Sequence, residues 1–355
     1  MDIDWSKVNR VLVVKMRSIG DTVLLTPSLI ALRRFLRDAE IDVLLEDWVA
    51  PVLDGFPGVN VITVGKQATG PWRLAARRMK VAKALRARKY DVVFDQHGGN
   101  PASFLARATG ARHRVGYDNY GYSYLFTHLI PTDLSFWGDR FVHSVERQLA
   151  LMGGVGVPVE DAPETSLTVT EPAMASLLDK LRDMNFEIDG RFAVVHPVAG
   201  VESKRWPAER YAQIIADLHD RGFRSIAVGS KADAKELQAV AELCNVPFWF
   251  SADINLPETT ALLSKASFFV GNDSGVAHMA AAMKVLSVVV FGSMDPRTWR
   301  PWTTAPNEVL YEPLPCHPCS KSTCEAFDEP KCILSITTEQ TIKAVDRVLA
   351  ASASL

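Results

Sequence analysis

Residues 270–282 read VGNDSGVAHMAAA, and this stretch decides the fold of the chain. The apolar run at 266–271 is typical of a buried strand that ends at a glycine. Three small polar residues and a second glycine follow, and the alanine-rich segment after them favours a helix. A strand, a tight turn and a helix in this order form the repeating unit of a parallel α/β sheet.

The turn in this stretch has two interpretations. The free N–H groups and the positive dipole end of the new helix form an anion site at the carboxyl edge of the sheet, where ligands lie in doubly wound folds. In the other interpretation Asp273 or Ser274 is an ordinary N-cap residue and Gly275 makes a tight turn. His278 lies four residues after Ser274, so both can share one helix face. It is either a structural histidine or a donor to a bound phosphate.

The alternation of strand and helix continues outward in both directions. We therefore predict an α/β protein with two Rossmann-like halves. Near residues 152–158 a glycine-rich segment interrupts the alternation of strands and helices. We therefore divide the chain into an N-terminal domain, 1–165, and a C-terminal domain, 166–355. We expect the last helix, about 338–350, to pack back on the N-terminal domain. Strand-like runs lie at 11–14, 41–45, 92–94, 192–196, 224–228, 268–271 and 285–291.

The charge is balanced over the whole chain, with 39 Lys and Arg against 41 Asp and Glu, but it is uneven locally. Residues 73–89 hold eight basic residues and no acidic one, with apolar positions near helical spacing. Such a helix is either a solvated face or a surface for anionic lipid or a phosphorylated acceptor. No nucleic-acid recognition motif is present, so we expect no nucleic-acid partner.

The start of the chain passes directly from a charged segment into a strand-like run. It has no signal-peptide pattern, and no apolar run reaches the length of a membrane span. We expect a cytoplasmic protein with peripheral contact to the inner face of the inner membrane.

Four of the five cysteines cluster with the spacing C-x2-C-x4-C-x7-C at residues 316, 319, 324 and 332. In a cytosolic chain this pattern indicates either a zinc or iron–sulfur site or a reduced cluster with a packing role. The irregular spacing favours the reduced cluster, so we expect no bound metal.

Two further segments combine a strand end, a glycine and charged residues. In Lys15–Pro27 the glycine makes a turn, and Asp21 follows in the first turn of a helix, where it either caps that helix or acts as a general base. A single glycine argues against a dinucleotide clamp. In residues 196–207 two adjacent cations, Lys204 and Arg205, follow a small-residue loop and suit a diphosphate. They can equally be exposed loop cations.

These motifs occur together in one family. The chain resembles the ADP-heptose:lipopolysaccharide heptosyltransferases, glycosyltransferase family nine, over about residues 10–350. The resemblance is carried by Lys15–Pro27, FDQHGGN at 94–100, RHRVGY at 112–117, HSVER at 143–147, KRWP at 204–207 and DSGVAH at 273–278.

The resemblance implies the GT-B architecture, in which two Rossmann-like domains face across a cleft. It implies an inverting, metal-independent transfer of heptose or a related sugar from an ADP-sugar to a lipopolysaccharide core or similar lipid-linked acceptor. It requires no cofactor, and the sugar donor is expected to be ADP-heptose. Asp21 matches the proposed base. The matching donor-binding residues are Lys204, Asp273, Ser274, Gly275 and His278, with Asp233 or Glu236 at the ribose.

On the acceptor side we predict contacts from Arg17, His97, Arg112 and Arg114. Two alternatives remain: another GT-B enzyme that uses a UDP-sugar, and a non-catalytic nucleotide-binding accessory of surface-polysaccharide assembly. The oligomeric state does not follow from the sequence.

Overall fold

The computed structural model describes residues 2–65, 71–132, 135–138, 141–319, 321 and 323–353. The chain divides into two compact units, Met1–Thr165 and Ser166–Leu355.

The first unit is a six-stranded parallel sheet with helices packed on it. Its strands are β1 (Arg10–Met16), β2 (Glu40–Glu46), β3 (Asn60–Val64), β4 (Val92–Asp95), β5 (His113–Tyr117) and β6 (His128–Ile130). Its helices are α1 (Ile19–Phe35), α2 (Pro71–Ala87), α3 (Asn100–Ala108) and α4 (Ser144–Gly153). The strand order is β3-β2-β1-β4-β5-β6, so β1 and β4 are central neighbours. Both are apolar and buried, as expected for parallel strands covered on two faces.

The second unit has the same plan, with the strand order β12-β11-β10-β7-β8-β9. Its strands are β7 (Phe192–His196), β8 (Arg224–Val228), β9 (Phe248–Ser251), β10 (Phe268–Asn272), β11 (Ser287–Val290) and β12 (Asn307–Leu310). Its helices are α5 (Glu171–Asp183), α6 (Ala208–Asp220), α7 (Ala234–Leu243), α8 (Leu256–Leu263), α9 (Gly275–Ala282), α10 (Pro296–Trp299), α11 (Lys331–Leu334) and α12 (Thr338–Ser352). All its strand pairs are parallel.

The structure confirms the predicted α/β class. The sequence missed β5 and the four edge strands of the two sheets, β3, β6, β9 and β12. Residues in these edge strands are mostly half-buried or exposed, so their hydrophobic pattern is weaker than that of the central strands.

The last helix packs on elements of the second unit, and the expected contact with the N-terminal domain stays a prediction. Helix α12 packs on β11, β12 and α6 of the second unit. Its buried residues Ala344, Val345 and Val348 belong to the hydrophobic core of that unit. Within the described ranges, no helix is long and apolar enough to cross a membrane.

Candidate functional site

The turn before α9 leaves the first amides of that helix without a side-chain cap. Ser274 is the N-cap residue, but its side chain makes no capping hydrogen bond. Its hydroxyl lies 3.2 Å from Nδ1 of His196 instead. Because the first N–H groups of a helix have no intrahelical acceptor, these amides can bind an anion. The anion interpretation therefore fits this geometry better than capping by Ser274.

A buried ion pair lies beside this helix end. Nζ of Lys204 donates to Oδ2 of Asp273 at 2.6 Å. Asp273 is buried, whereas the side chain of Lys204 keeps 24% of its surface exposed. The structure thus brings together the lysine and the turn that the sequence analysis placed at a donor diphosphate.

The loop that carries Lys204 is held to β10 by Asn272. Its Oδ1 accepts from the backbone N–H of Trp206 at 3.2 Å, and its Nδ2 donates to the carbonyl of Pro197 at 3.0 Å. Asn272 is fully buried, so both bonds form away from water. The loops after β7 and β10 are therefore fixed to each other at the carboxyl edge of the second sheet.

Gly292 provides a close approach between the loop after β11 and the lysine loop. A methyl group at this position would overlap the backbone of Ser203, directly before Lys204. We expect Gly292→Ala to displace this loop, to destabilise the protein by about 1–3 kcal/mol, and to weaken ADP binding at least about tenfold. Isothermal calorimetry and chemical unfolding measure the two effects.

Gly200→Ala is the matched control, because a Cβ at Gly200 meets no atom within 4 Å. This variant should bind ADP like the wild type. Equal ADP affinity in the Gly292 and Gly200 variants would show that the position of the lysine loop does not matter for binding.

His196 ends β7 beneath the turn and is buried. Burial lowers the pKa of its imidazole to about 4, although nearby Asp233 acts in the opposite direction. The ring is therefore neutral near pH 7, and either it or Ser274 donates the hydrogen bond between them.

This buried histidine makes the stability of the protein sensitive to mild acid. Between pH 6.5 and about 4, unfolded chains bind a proton on His196 that the folded protein excludes. The free energy of unfolding should therefore fall as the pH drops through this range, by up to about 3 kcal/mol. Urea unfolding of His196→Asn should show a flatter pH dependence, whereas the exposed control His219→Asn should keep the wild-type slope. Parallel curves for His196→Asn and the wild type would contradict this assignment.

The three remaining donor candidates have structural contacts. His278 is buried in α9, and its backbone N–H lies 3.5 Å from the carbonyl of Ser274. Asp233 accepts hydrogen bonds from the backbone and hydroxyl of Ser230, at 2.8 and 2.6 Å, and so holds the turn after β8. Glu236 lies 3.7 Å from the guanidinium of Arg205. Both acidic candidates for the ribose contact follow β8, whose neighbour in the sheet is β7.

In the first unit, Asp21 lies at the start of α1, directly after β1. Its Oδ1 is 3.0 Å from Nζ of buried Lys15, and its Oδ2 accepts from the hydroxyl of Ser18 at 2.9 Å. Burial opposes the charged form, but Lys15 and Ser18 outweigh it and hold the pKa of Asp21 below its ordinary value. The carboxylate is therefore ionised at neutral pH, and 29% of its side-chain surface remains open to a reactant.

His97 lies in the loop after β4, next to the end of β1. Buried Asp95 holds this loop, because its carboxylate accepts from the backbone N–H groups of His97 and Gly98, both at 2.9 Å. Burial, together with nearby Lys15 and Arg17, lowers the pKa of His97, while Asp21 acts against them. The structure thus places Asp21, His97 and exposed Arg17 at one edge of the first sheet.

Arg112 and Arg114 do not belong to this group. They lie at the start of β5, which pairs in parallel with the start of β4, whereas Asp21 and His97 follow strand ends. The guanidinium of Arg114 donates to the carbonyl oxygens of Leu125 and Ala111. The parallel register puts these arginines at the start of β5, and their contact with an acceptor stays a prediction.

The cysteine cluster surrounds a cavity next to the lysine loop. Four free thiols line this cavity of about 270 Å³, and the carbonyl of Lys321 accepts from the hydroxyl of Ser203 at 2.8 Å. In the part of the chain that the structure describes, no group of three or more His, Cys, Asp or Glu is arranged to hold a metal. The four thiols are those of Cys316, Cys319, Cys324 and Cys332.

Sequence reasoning missed three residues that position the site: Lys15, Asn272 and Asp95. All three were quoted in motifs but were assigned no role. Lys15 and Asn272 contact backbone groups that lie 81 and 66 residues away in sequence. A buried charged or amide residue at a strand end was the available signal.

Two parallel sheets, each with polar loops at its carboxyl edge, are the features of an α/β enzyme that binds its ligands at strand ends. The family model of glycosyltransferase family 9 (heptosyltransferase) matches residues 78–328, so this chain belongs to that family and is a glycosyltransferase.

Known relatives agree with this assignment. Lipopolysaccharide heptosyltransferase 3 of Escherichia coli is 30% identical over 301 residues, which cover 81% of this chain and 85% of the relative. A family 9 glycosyltransferase from Veillonella parvula has a similar fold, with a TM-score of 0.83, 21% identity and coverage of 99% of both chains. The structure of E. coli heptosyltransferase WaaC with ADP gives a TM-score of 0.73 at 21% identity, and covers 96% of this chain and 99% of that one.

Proposed function

We propose that this protein is a cytoplasmic, inverting heptosyltransferase that transfers heptose from ADP-heptose to the saccharide of a lipopolysaccharide core. The observation that carries the donor side is the uncapped start of α9 beside the Lys204–Asp273 pair. Family membership and the similarity to a lipopolysaccharide heptosyltransferase support the choice of sugar and acceptor.

The proposed reaction is a single displacement. Asp21 accepts the proton of an acceptor hydroxyl as its oxygen attacks the anomeric carbon of the heptose. The bond between that carbon and the β-phosphate oxygen breaks, and ADP leaves from the opposite face, which inverts the configuration. Because Asp21 is held ionised by Lys15, it is ready to accept the proton at neutral pH.

The negative charge that develops on the departing diphosphate must be stabilised by hydrogen-bond donors held in fixed positions. In this proposal the Lys204 ammonium and the amides of Gly275 and the residues after it neutralise that charge without a bound metal ion. Nearby Asp273 keeps the ammonium in place. In this proposal the first unit supplies the base and the second unit supplies the donor site.

Calorimetric titration with ADP, UDP and ADP-heptose tests the donor assignment. We expect ADP and ADP-heptose to bind at least about tenfold more tightly than UDP, and excess EDTA to leave transfer unchanged. Preferential binding of UDP would indicate a different class of GT-B enzyme. Tight ADP-heptose binding without any transfer would indicate a nucleotide-binding accessory protein.

Helix α2 is the surface that we propose for peripheral membrane contact. Its side chains from Arg77 to Lys80, and those of Lys83 and Arg86, are exposed, and no acidic residue lies on the helix. The side chains of Arg73 and Leu74, which belong to the predicted basic segment, lie outside the described residues. Positive charge at this density attracts an anionic leaflet.

Reversal of two of these charges should weaken vesicle binding. Each lysine near an anionic surface contributes about 1 kcal/mol, so Lys80→Glu/Lys83→Glu should lower binding to phosphatidylglycerol-containing vesicles at least about tenfold. The control Lys235→Glu/Lys265→Glu makes the same charge change on exposed positions of the second unit. If the two variants co-sedimented equally with the vesicles, α2 would not be the surface that contacts the membrane.

A further inference from the structure

Three aromatic side chains, two of them exposed and one half-buried, form a cluster on the first unit. The ring centroids of Phe104 and Tyr122 are 4.9 Å apart, and those of Tyr122 and Tyr124 are 6.0 Å apart. Phe104 is 51% exposed and Tyr124 is 74% exposed. A contiguous aromatic surface of this kind is a feature of binding sites rather than of an inert protein surface. We refer to these three residues as the aromatic platform.

The platform adjoins the loop that carries His97. Tyr120 lies two residues before Tyr122 of the platform. Its ring packs against Gly98, and its hydroxyl donates to the carbonyl of Asp95 at 3.0 Å. Gly121 lies beside the side chain of Asn100, where α3 begins, and Phe104 is one turn further along α3. The platform therefore begins near the loop that carries His97 and extends along α3 away from it.

We propose that the aromatic platform binds a saccharide ring of the acceptor by stacking, a subsite beyond the His97 loop that rests on the function proposed above. The faces of aromatic rings carry partial negative charge, which attracts the partly positive C–H groups on one face of a sugar. Two of the three rings carry a hydroxyl, which can hydrogen-bond to the rim of a hydroxylated ligand. Aromatic rings also lose little conformational entropy on binding, because only two torsions are fixed.

Steady-state kinetics on two forms of acceptor test the proposal. The acceptors are lipopolysaccharide from cells that lack the transferred heptose, used intact and after removal of its acyl chains. We expect Phe104→Ala and Tyr124→Ala each to raise the KM for both acceptors about five- to tenfold. The KM for ADP-heptose should not change, and Leu243→Ala, at an exposed apolar position of the second unit, should match the wild type.

Phe104→Leu separates stacking from simple apolar contact. It keeps apolar surface but lacks the aromatic face, so the stacking proposal predicts a KM close to that of Phe104→Ala. A wild-type KM for Phe104→Leu would overturn the proposal. A defect seen only with the acylated acceptor would also overturn it, since the platform would then contact lipid.

Binding of the saccharide to the platform can be tested even if the proposed function fails. If the wild-type protein transfers no heptose, calorimetry of the de-acylated saccharide with the wild-type protein and Phe104→Ala still decides the question. Weaker binding by Phe104→Ala would support the subsite, and equal binding or no binding by the two proteins would refute it.

Discussion

Asp21→Asn should lower the turnover number for heptosyl transfer by about a hundred- to ten-thousand-fold, the range for loss of a general base. The amide cannot accept the proton of the attacking hydroxyl. Its oxygen can still accept from Ser18, so the turn that begins α1 should persist. The affinity for ADP should not change, because the donor residues lie in the other unit. Single-turnover kinetics and calorimetry measure the two quantities.

Ser18→Ala is the matched control for the capping role of Asp21. It removes the hydroxyl that bonds to Asp21 but leaves the carboxylate and its ion pair with Lys15. We expect this variant to lose about 1 kcal/mol of stability and less than about tenfold in turnover. If Asp21→Asn retained turnover within about threefold of the wild type, Asp21 would be a cap residue and another group would be the base.

Lys204→Ala should lower kcat/KM for the donor by about a hundred- to a thousand-fold, as for loss of a donor aimed at developing negative charge. The substitution also leaves the carboxylate of Asp273 buried without its cation. Breaking a buried pair in this way costs about 3–5 kcal/mol; because part of Lys204 is exposed, we expect a smaller loss of stability.

The double variant Lys204→Ala/Asp273→Asn separates binding from stability. The neutral amide removes the unpaired buried charge, so stability should return toward that of the wild type while donor affinity stays low. Recovery of kcat/KM together with stability would show that Lys204 acts only through the fold. Chemical unfolding and donor kinetics on the same samples provide both readouts.

The central strands and the turn before α9 could be predicted from the sequence because their signals are local. Buried β-branched runs, each followed by a glycine or small polar turn, identified β1, β4, β7 and β10 and placed Asp21 and Ser274 at strand ends. Parallel pairing then puts all such ends of one sheet at the same edge. The group of Lys204, Asp273 and Ser274 followed from this rule together with the family motifs.

The remaining features depend on register and on contacts between distant residues. Arg112 precedes β5 rather than following it, and only the bounds of that strand show which edge it occupies. The sequence left a cap by Asp273 or Ser274 and an anion site as alternatives, and the contact of the Ser274 hydroxyl with His196, 78 residues away, could not be read from it. Charged residues gave no local sign of their partners, as in the pair of Lys204 with Asp273, 69 residues apart.

The most direct test of the proposed function is transfer itself. The protein is incubated with ADP-heptose and lipopolysaccharide from cells that lack the transferred heptose, and mass spectrometry of the acceptor is compared with the release of ADP. We expect the acceptor to gain the mass of one heptose, with an equal amount of ADP released, and both signals to disappear for Asp21→Asn. If the wild-type protein bound ADP-heptose but left the acceptor mass unchanged, or if Asp21→Asn transferred heptose at the wild-type rate, the proposed mechanism would be contradicted.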